Sequence, residues 1–205
     1  MILFACGDSN TFGDELSDRT KAWPYRLGLM LDATVVNKAK PGRSNHYIFR
    51  TTVEWVAGHR EAIQAAPDEY LFVIGWTGAD RYEFKSDKWE YIGGSFGNQN
   101  KAVARLYYEH LHSEEQANIF MGQYMVSLHV LLRSLGVRHL FFDAYAAFDW
   151  RHCEYLREMI DPDVLVPEIM LNYCSPYPRG PGNHPLEAGH QAWAEYLAQF
   201  AARIP

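Results

Sequence analysis

Two polar residues near opposite ends of the chain have the types that nucleophilic catalysis requires. Ser9 lies in the segment Gly-Asp-Ser-Asn-Thr (7–11), directly after the apolar run 2–6, and His184 precedes the last helical pattern of the chain. A serine hydroxyl is a weak nucleophile until a base such as histidine takes its proton, and the resulting oxyanion needs donors already in place. Taken alone, Ser9 would also fit a helix cap or a turn. Together the two residues predict acyl-transfer chemistry if the fold brings them into contact.

Further candidate site residues follow the ends of other apolar runs. Gly42 comes after the β-branched segment 34–39, and Thr77 comes after the run 70–76. The carboxyl ends of parallel strands meet at one edge of a sheet, where ligands bind, so these positions are expected near Ser9. Gly42 could also be a turn glycine before a helix, although its place after the second strand favours a role in holding an oxyanion. Residues predicted to support the site are Asp8, as a loop-anchoring acid, together with Asn10, Asn45 and Arg81.

Strand and helix patterns alternate along the chain. Strands are predicted at 2–6, 34–39, 70–76 and 137–143, with a marginal strand or turn at 164–166. Helices are predicted at 23–31, from Ser44 to about Ala66, from about Glu114 to Leu135 after a break near His112, at 149–160, and after Pro185. This order predicts one α/β domain over residues 1–205, a three-layer α/β/α sandwich around a flavodoxin-like parallel sheet of about five strands.

The segment 77–104 departs from this alternation. It carries five aromatic residues among charges and has a glycine-rich stretch at 93–98. A long irregular segment that leaves the end of a central strand is more often a lid or a binding loop than a linker. We therefore expect 77–104 to cover the substrate, with room for a small hairpin. A folded excursion that never contacts substrate is the alternative.

The polar segments resemble, in order and spacing, the sequence blocks of the SGNH hydrolase superfamily, also called the GDSL esterases and lipases. Segment 7–11 is similar to the first block, 41–45 to the second, 73–77 to the third and 184–190 to the fifth. The resemblance implies the SGNH fold, with Ser9 as nucleophile, His184 as general base, and Ser9, Gly42 and Thr77 forming the oxyanion hole. It implies a cofactor-free ester hydrolase that removes acyl groups, acetyl among them, from carbohydrate or small-molecule esters.

The chain departs from the family pattern at two positions. Thr77 stands where the family usually has Asn, and it offers one hydroxyl donor in place of an amide's two. Pro181 stands where the family has the Asp that orients the histidine. His184 would then depend on a backbone carbonyl or on another carboxylate, or the site would be impaired. The residues at 75–77 and 180–184 are similar to those of divergent members of the family found in tailed-phage genomes.

Two other function classes are consistent with parts of the pattern. Pro181 and Thr77 would suit a binding module for carbohydrate or protein that kept the fold and lost the catalytic rate. Segment 8–11 would suit a phosphate-binding loop of a flavodoxin-like nucleotide or FMN protein, because hydroxyl, amide and helix-start N–H groups can all hold phosphate. This last interpretation leaves His184 and Gly42 without a role.

The composition of the chain restricts the classes of partner and the cellular location that we expect. The 205 residues carry a formal net charge of -6 with a pI near 5.8 and no basic cluster, which disfavours nucleic acid as a partner. Apolar runs are too short for a membrane span, and no signal peptide precedes the first strand, so a cytoplasmic location is expected, that of the host for a phage protein. Three scattered cysteines fit a reducing compartment. His110 and His112 are expected to be a surface pair, and no metal site or oligomeric state is assigned.

Overall fold

A parallel four-stranded sheet forms the centre of the computed structural model, which describes residues 1–93 and 101–204. The strands are β1 (Ile2–Cys6), β2 (Thr34–Asn37), β3 (Tyr70–Trp76), β4 (Tyr82–Lys85), β5 (Trp89–Ile92) and β6 (Arg138–Asp143). The helices are α1 (Ser9–Phe12), α2 (Trp23–Met30), α3 (Asn45–Gly58), α4 (Arg60–Ala65), α5 (Lys101–Leu106), α6 (Glu114–Ser134), α7 (Glu154–Arg157), α8 (Met170–Tyr173) and α9 (Glu187–Ala201). The order in the central sheet is β2-β1-β3-β6, so β1 and β3 are its inner strands.

The inner strands are apolar throughout because helices cover both faces of the sheet. Alternate residues of β1 and β3 point to opposite sides, so Phe4 and Phe72 pack under α3 and α6, whereas Leu3 and Leu71 pack under α2 and α9. The predicted three-layer α/β/α sandwich with its excursion after the third strand is therefore confirmed. In register, Ala5 of β1 lies between Asn37 of β2 and Val73 of β3. The carboxyl ends of the strands consequently meet at one edge.

About five strands were expected in the central sheet, whereas the described residues form four. The marginal segment 164–166 contributes only an isolated parallel bridge from Leu165 to Phe141, with the Val166 N–H donating to the Phe141 carbonyl at 2.8 Å. A short 3₁₀ turn at Pro162–Val164 precedes this bridge and Pro167 follows it. Proline has no N–H to donate to a ladder, so the segment is too short to extend the sheet.

Two helix predictions need correction. The helix expected to run to Ala66 breaks at His59, whose φ of −121° and ψ of 12° leave the helical region, and whose ring Nδ1 lies 2.8 Å from the Trp55 carbonyl. The helix expected at 149–160 is a 3₁₀ turn at Trp150–His152 followed by α7. The short helix α8 was not predicted. The predicted break near His112 is present, since a π-helical turn, Tyr107–Leu111, ends there and Ser113 caps α6.

The excursion after β3 contains the antiparallel hairpin β4–β5. The hairpin packs on α3 through charge and ring contacts, with the buried Glu83 carboxylate 3.4 Å from Arg50 Nη2 and the Arg50 guanidinium 4.1 Å from the Trp89 ring centroid. The glycine-rich stretch at 94–98, including Phe96, lies outside the described residues. None of the helices in the described ranges is both long and apolar enough to cross a bilayer.

Candidate active site

Ser9 begins α1 immediately after β1 ends. Asp8 caps this helix, its Oδ1 accepting the Asn10 N–H at 2.9 Å. A Cβ at Gly7 would lie 2.3 Å from Thr11 Oγ1, so the chain can turn this tightly only where a side chain is missing. The Ser9 N–H lies at the first helical position, where backbone N–H groups have no intrahelical acceptor. The local sequence thus presents both the hydroxyl and a backbone donor at the edge of the sheet.

The structure brings Ser9 and His184 into hydrogen-bond contact across 175 residues of chain. Ser9 Oγ lies 2.9 Å from His184 Nε2, and His184 Nδ1 lies 2.9 Å from Glu15 Oε2. An ionised carboxylate can only accept, so Nδ1 carries the proton and Nε2 of the neutral ring presents its lone pair to the serine hydroxyl. This is the tautomer that a general base next to serine requires.

Glu15 is a candidate site residue that the sequence analysis missed. Its Oε1 accepts the Gly182 N–H at 2.7 Å, and its Oε2 accepts the His184 N–H at 3.2 Å in addition to the ring contact. These contacts, the Gly182 N–H first among them, hold the pKa of Glu15 below its ordinary value. A carboxylate from another loop thus contacts His184 although position 181 is proline, one of the arrangements that the sequence left open.

Glu15 reaches His184 because both loops adopt uncommon backbone conformations. Glu15 has a φ of 65° and Asn183, just before the histidine, a φ of 66°. Left-handed backbone is costly for residues other than glycine, and it persists where the surrounding structure holds it in place. A Cβ at Gly180 would lie 2.7 Å from the Glu15 carboxylate and one at Gly182 would lie 3.1 Å from it. The glycines on either side of Pro181 therefore leave room for Glu15, and they were the only local sign of its approach.

Asp8 is completely buried and accepts hydrogen bonds from three side chains as well as from a backbone amide. Its partners are Asn10 Nδ2 at 3.2 Å, Thr77 Oγ1 at 2.8 Å and Arg81 Nη1 at 3.3 Å. Arg81 Nη1 also lies 3.4 Å from the Arg43 carbonyl, next to Gly42. Asp8 and Arg81 thus tie the loop of Ser9 to the loop of Gly42, in keeping with the loop-anchoring role predicted for Asp8.

Thr77 does not have the free donor that its position after β3 suggested. A threonine hydroxyl has one proton, and that of Thr77 is directed to Asp8. Its backbone is held as well, because Asn45 Oδ1 accepts the Thr77 N–H and Asn45 Nδ2 donates to the Thr77 carbonyl, both at 2.9 Å. In this arrangement Thr77 and Asn45 hold neighbouring loops together, and the oxyanion role of Thr77 stays a prediction that would require its hydroxyl to turn away from Asp8.

Gly42 lies in the loop that follows β2, close to Tyr91 of the hairpin. Its φ of 70° is in the left-handed region, and a Cβ there would lie 3.2 Å from Tyr91 Cε2. The Arg43 guanidinium stands 4.5 Å from the Tyr91 ring centroid. The excursion therefore reaches the loop that was predicted to supply an oxyanion donor, although its role as a lid stays a prediction.

In the described part of the chain, the cysteines and His190 make no hydrogen bond to Ser9, Glu15 or His184. Cys6, Cys153 and Cys174 are free and buried, and burial raises the pKa of the Cys6 and Cys174 thiols to about 12. Within 1–93 and 101–204, no three His, Cys, Asp or Glu side chains are grouped so as to hold a metal ion. His190 is fully buried, with its Nδ1 3.2 Å from the Trp23 backbone nitrogen.

Comparison with known proteins places the chain in a family. A model described as a family of unknown function (DUF6071) matches residues 8–159, about three quarters of the chain. The chain belongs to DUF6071. The matched residues include Ser9, Glu15, Gly42 and Thr77, whereas His184 lies beyond them. No curated protein matches the sequence significantly.

Solved structures extend the comparison to the fold of this DUF6071 member. TesA is 16% identical with a TM-score of 0.60, each chain covering 99% of the other. A lipolytic protein of the G-D-S-L family from Veillonella parvula DSM 2008 is 12% identical, with a TM-score of 0.57 and 99% of each chain covered. The acetyl xylan esterase AlAXEase is 11% identical with a TM-score of 0.50, covering 97% of this chain and 98% of its own. The predicted SGNH fold is thereby confirmed, whereas the phage resemblance stays a prediction.

Proposed function

We propose that this DUF6071 protein is a serine ester hydrolase of the SGNH type whose triad is Ser9, His184 and Glu15. The observation that carries the proposal is the continuous chain of contacts from Ser9 Oγ to His184 Nε2 and from His184 Nδ1 to Glu15, each of 2.9 Å. A nucleophile, a base and an acid that fixes the tautomer of the base are the parts that acyl transfer from a neutral ester requires.

In the proposed reaction, Ser9 Oγ attacks the acyl carbon while His184 Nε2 accepts the hydroxyl proton. The oxyanion is held by the backbone N–H groups of Ser9 and Gly42. When the tetrahedral intermediate collapses, the bond to the alcohol oxygen breaks and His184 returns the proton to the leaving alkoxide. Water then attacks the acyl-enzyme with His184 again as base, which releases the carboxylic acid and restores Ser9. Glu15 stabilises the imidazolium formed in both halves of the reaction.

The substrate class proposed is an acyl ester, with acetyl groups on carbohydrate as the first members to test. The structural likeness to an acetyl xylan esterase supports trying them. A binding module without turnover remains the second candidate, because the Thr77 hydroxyl is directed to Asp8 and the proposed oxyanion hole then has only two backbone donors.

Labelling with a fluorophosphonate probe tests the nucleophile. The wild-type protein should form a covalent adduct at Ser9, and Ser9→Ala should form none. His184→Ala should slow labelling on the order of a hundredfold or more, since general-base assistance contributes about 10²–10⁴-fold. Ser17→Ala serves as the matched control, because Ser17 is an exposed serine in the loop that follows α1. Equal labelling of wild type and Ser9→Ala, or an unlabelled wild type, would refute the proposed nucleophile.

A further inference from the structure

The two faces of the hairpin β4–β5 contact different parts of the molecule. In its antiparallel register Glu83 lies opposite Tyr91 and Tyr82 lies opposite Ile92, so the members of each pair share a face and the two pairs point to opposite faces. Tyr82 stacks on the Tyr107 ring of the π-helical turn, with centroids 4.8 Å apart, and Ile92 packs in the same apolar cluster as Tyr107. The face of Glu83 and Tyr91 is therefore the one turned towards α3 and the loop that follows β2.

Tyr91 closes one side of Gly42. Its ring atoms Cε2, Cδ2 and Cζ lie 3.2, 3.8 and 4.0 Å from the position that a Cβ at Gly42 would occupy. The Gly42 carbonyl in turn lies 3.4 Å from the corresponding position at Gly93, the residue that follows β5. Gly42 has a φ of 70° and no side chain of its own to restrict its backbone. The hairpin thus supplies packing contacts that restrict the Gly42 peptide from outside.

The residue after Gly42 is fastened to the same face of the hairpin. The Arg43 guanidinium lies 4.5 Å from the Tyr91 ring centroid, and its Nη1 lies 3.6 Å from Oε1 of the fully buried Glu83 carboxylate. Glu83 Oε2 also accepts from Arg50 Nη2 of α3 at 3.4 Å. A buried carboxylate is costly unless it is paired, so these ion pairs hold the hairpin at a fixed place relative to α3 and Gly42.

The loop of Gly42 is tied separately to the segment of Ser9. The Lys40 N–H donates to the Gly7 carbonyl at 3.3 Å, which joins the chain two residues before each of the two proposed oxyanion donors. The Arg81 guanidinium adds the second tie described above. Both donors must converge on one oxygen, and they are effective only at about 2.7–3.1 Å from it. A small displacement of the Gly42 peptide would therefore weaken the oxyanion hole.

We propose that the hairpin is a positioning element of the oxyanion hole, and that Tyr91 is the positioning residue for the Gly42 N–H. The inference rests on the proposed function, because the donor that it positions belongs to the proposed reaction. This role differs from that of a lid, since lid variants often change kcat and KM together, whereas a displaced oxyanion donor lowers kcat alone. The hold of Tyr91 on Gly42 does not itself require turnover, and the two parts are tested separately.

The hold on Gly42 is tested by amide relaxation of the ¹⁵N-labelled protein. The order parameter of the Gly42 N–H should be about 0.85 in the wild type, as in rigid backbone, and should fall towards about 0.6 in Tyr91→Ala. Tyr91→Phe should keep the wild-type value, because the contact is made by ring carbons. Tyr82→Ala is the matched control, a tyrosine on the opposite face of the same hairpin, and should also keep it. An unchanged order parameter in Tyr91→Ala would overturn the inference.

The effect on the oxyanion is tested with an acetyl ester and the matching thionoester, in which sulfur replaces the carbonyl oxygen. Sulfur is a weak hydrogen-bond acceptor, so the thionoester gains less from the donors. Tyr91→Ala should lower kcat for the ester about tenfold with KM nearly unchanged, and it should lower the ratio of ester to thionoester kcat by a similar factor. Tyr91→Phe and Tyr82→Ala should retain the wild-type kcat and ratio. Tyr91→Leu, which keeps apolar volume without the flat ring, should fall between, and it replaces Tyr91→Ala if that variant does not fold.

The outcomes separate the inference from the esterase. Ester hydrolysis that is unaffected by Tyr91→Ala, or that falls equally for the ester and the thionoester, would refute the positioning role and leave the esterase intact. A Gly42 order parameter that falls in Tyr91→Ala, together with no hydrolysis of any ester and no labelling of Ser9 in the wild type, would refute the esterase. The oxyanion role of the hairpin would then be refuted with it, and only the packing of Tyr91 on Gly42 would stand.

Discussion

Asp8 and Glu15 are two carboxylates on either side of Ser9, and they are held in opposite ways. The Asp8 side chain is 0% exposed and is surrounded by donors from its own loop, from Thr77 and from Arg81. The Glu15 side chain is 21% exposed and receives its donors from one distant loop, at Gly182 and His184. On the proposed function, we therefore expect Asp8 to stabilise the fold around Ser9 and Glu15 to set which nitrogen of His184 carries the proton.

Glu15→Gln should produce the largest effect, a loss of kcat on the order of 10³-fold. The amide would donate to His184 Nδ1 and favour the tautomer with the proton on Nε2, which cannot accept from Ser9; comparable replacements in serine triads cost about 10⁴-fold. The measurement is steady-state ester hydrolysis, with the unfolding free energy determined in parallel. Asp14→Asn, at the neighbouring acid, is the control and should keep full activity. Loss of stability in proportion to activity would contradict the proposed division of roles.

Asp8→Asn should destabilise the fold by about 3 kcal/mol, because it leaves Arg81 without its buried partner and turns an acceptor into a donor facing other donors. Urea unfolding measures this free energy. The double variant Asp8→Asn/Arg81→Met should recover at least about 1 kcal/mol, since the unpaired guanidinium is then absent. If Asp8→Asn has the unfolding free energy of the wild type yet has lost activity, Asp8 acts in catalysis, as proposed for Glu15, and its stabilising role is refuted.

The contrast also explains how far sequence alone could predict the site. Ser9, Gly42 and His184 could be identified as candidates because each stands in a short local pattern, and the contact between Ser9 and His184 agrees with that expectation. The sheet follows from the unbroken apolar runs of β1 and β3. Glu15 could not be identified, because its role depends on a left-handed backbone and on contacts with residues more than 160 positions away. The use of the Thr77 proton was equally hidden, since it depends on where Asp8 points in the folded chain.

The pH dependence of stability should separate Glu15 from the buried histidines. Burial lowers the pKa of His139 and of His190 from 6.5 to about 4. Below about pH 6.5 the unfolded chain binds protons that the folded chain refuses, so the unfolding free energy falls as pH decreases towards 4. The loss is at most about 3 kcal/mol for each histidine. Glu15, whose folded pKa is lowered from 4.5, contributes stability above that value that is lost as pH falls further.

Urea unfolding in steps of half a pH unit from pH 7.5 to 3.5 would measure the unfolding free energy in both pH ranges, that of the buried histidines and that of Glu15. His129→Leu/His139→Leu removes both partners of the buried imidazole pair, whose facing nitrogens are 2.9 Å apart, and should reduce the slope between pH 6.5 and 4. Glu15→Gln should leave that slope unchanged and reduce the slope only below about pH 4.5. If Glu15→Gln also reduced the pH dependence of the unfolding free energy between pH 6.5 and 4, the titration of Glu15 and that of the buried histidines would be coupled. That result would contradict the separate roles expected for them.

Gly182→Ala should have the smallest effect, about a tenfold loss of kcat with little change in stability. The new methyl group would lie 3.1 Å from Glu15 Oε2 and 3.2 Å from His184 Nδ1, tight enough to separate the two groups by a few tenths of an ångström. The expected tenfold loss of rate corresponds to an increase of about 1.4 kcal/mol in the activation free energy. Gly58→Ala is the control, because a Cβ at that position meets no atom within 4 Å. An unchanged kcat in Gly182→Ala would mean that the Glu15–His184 distance is not critical, and Glu15 would then act through charge alone.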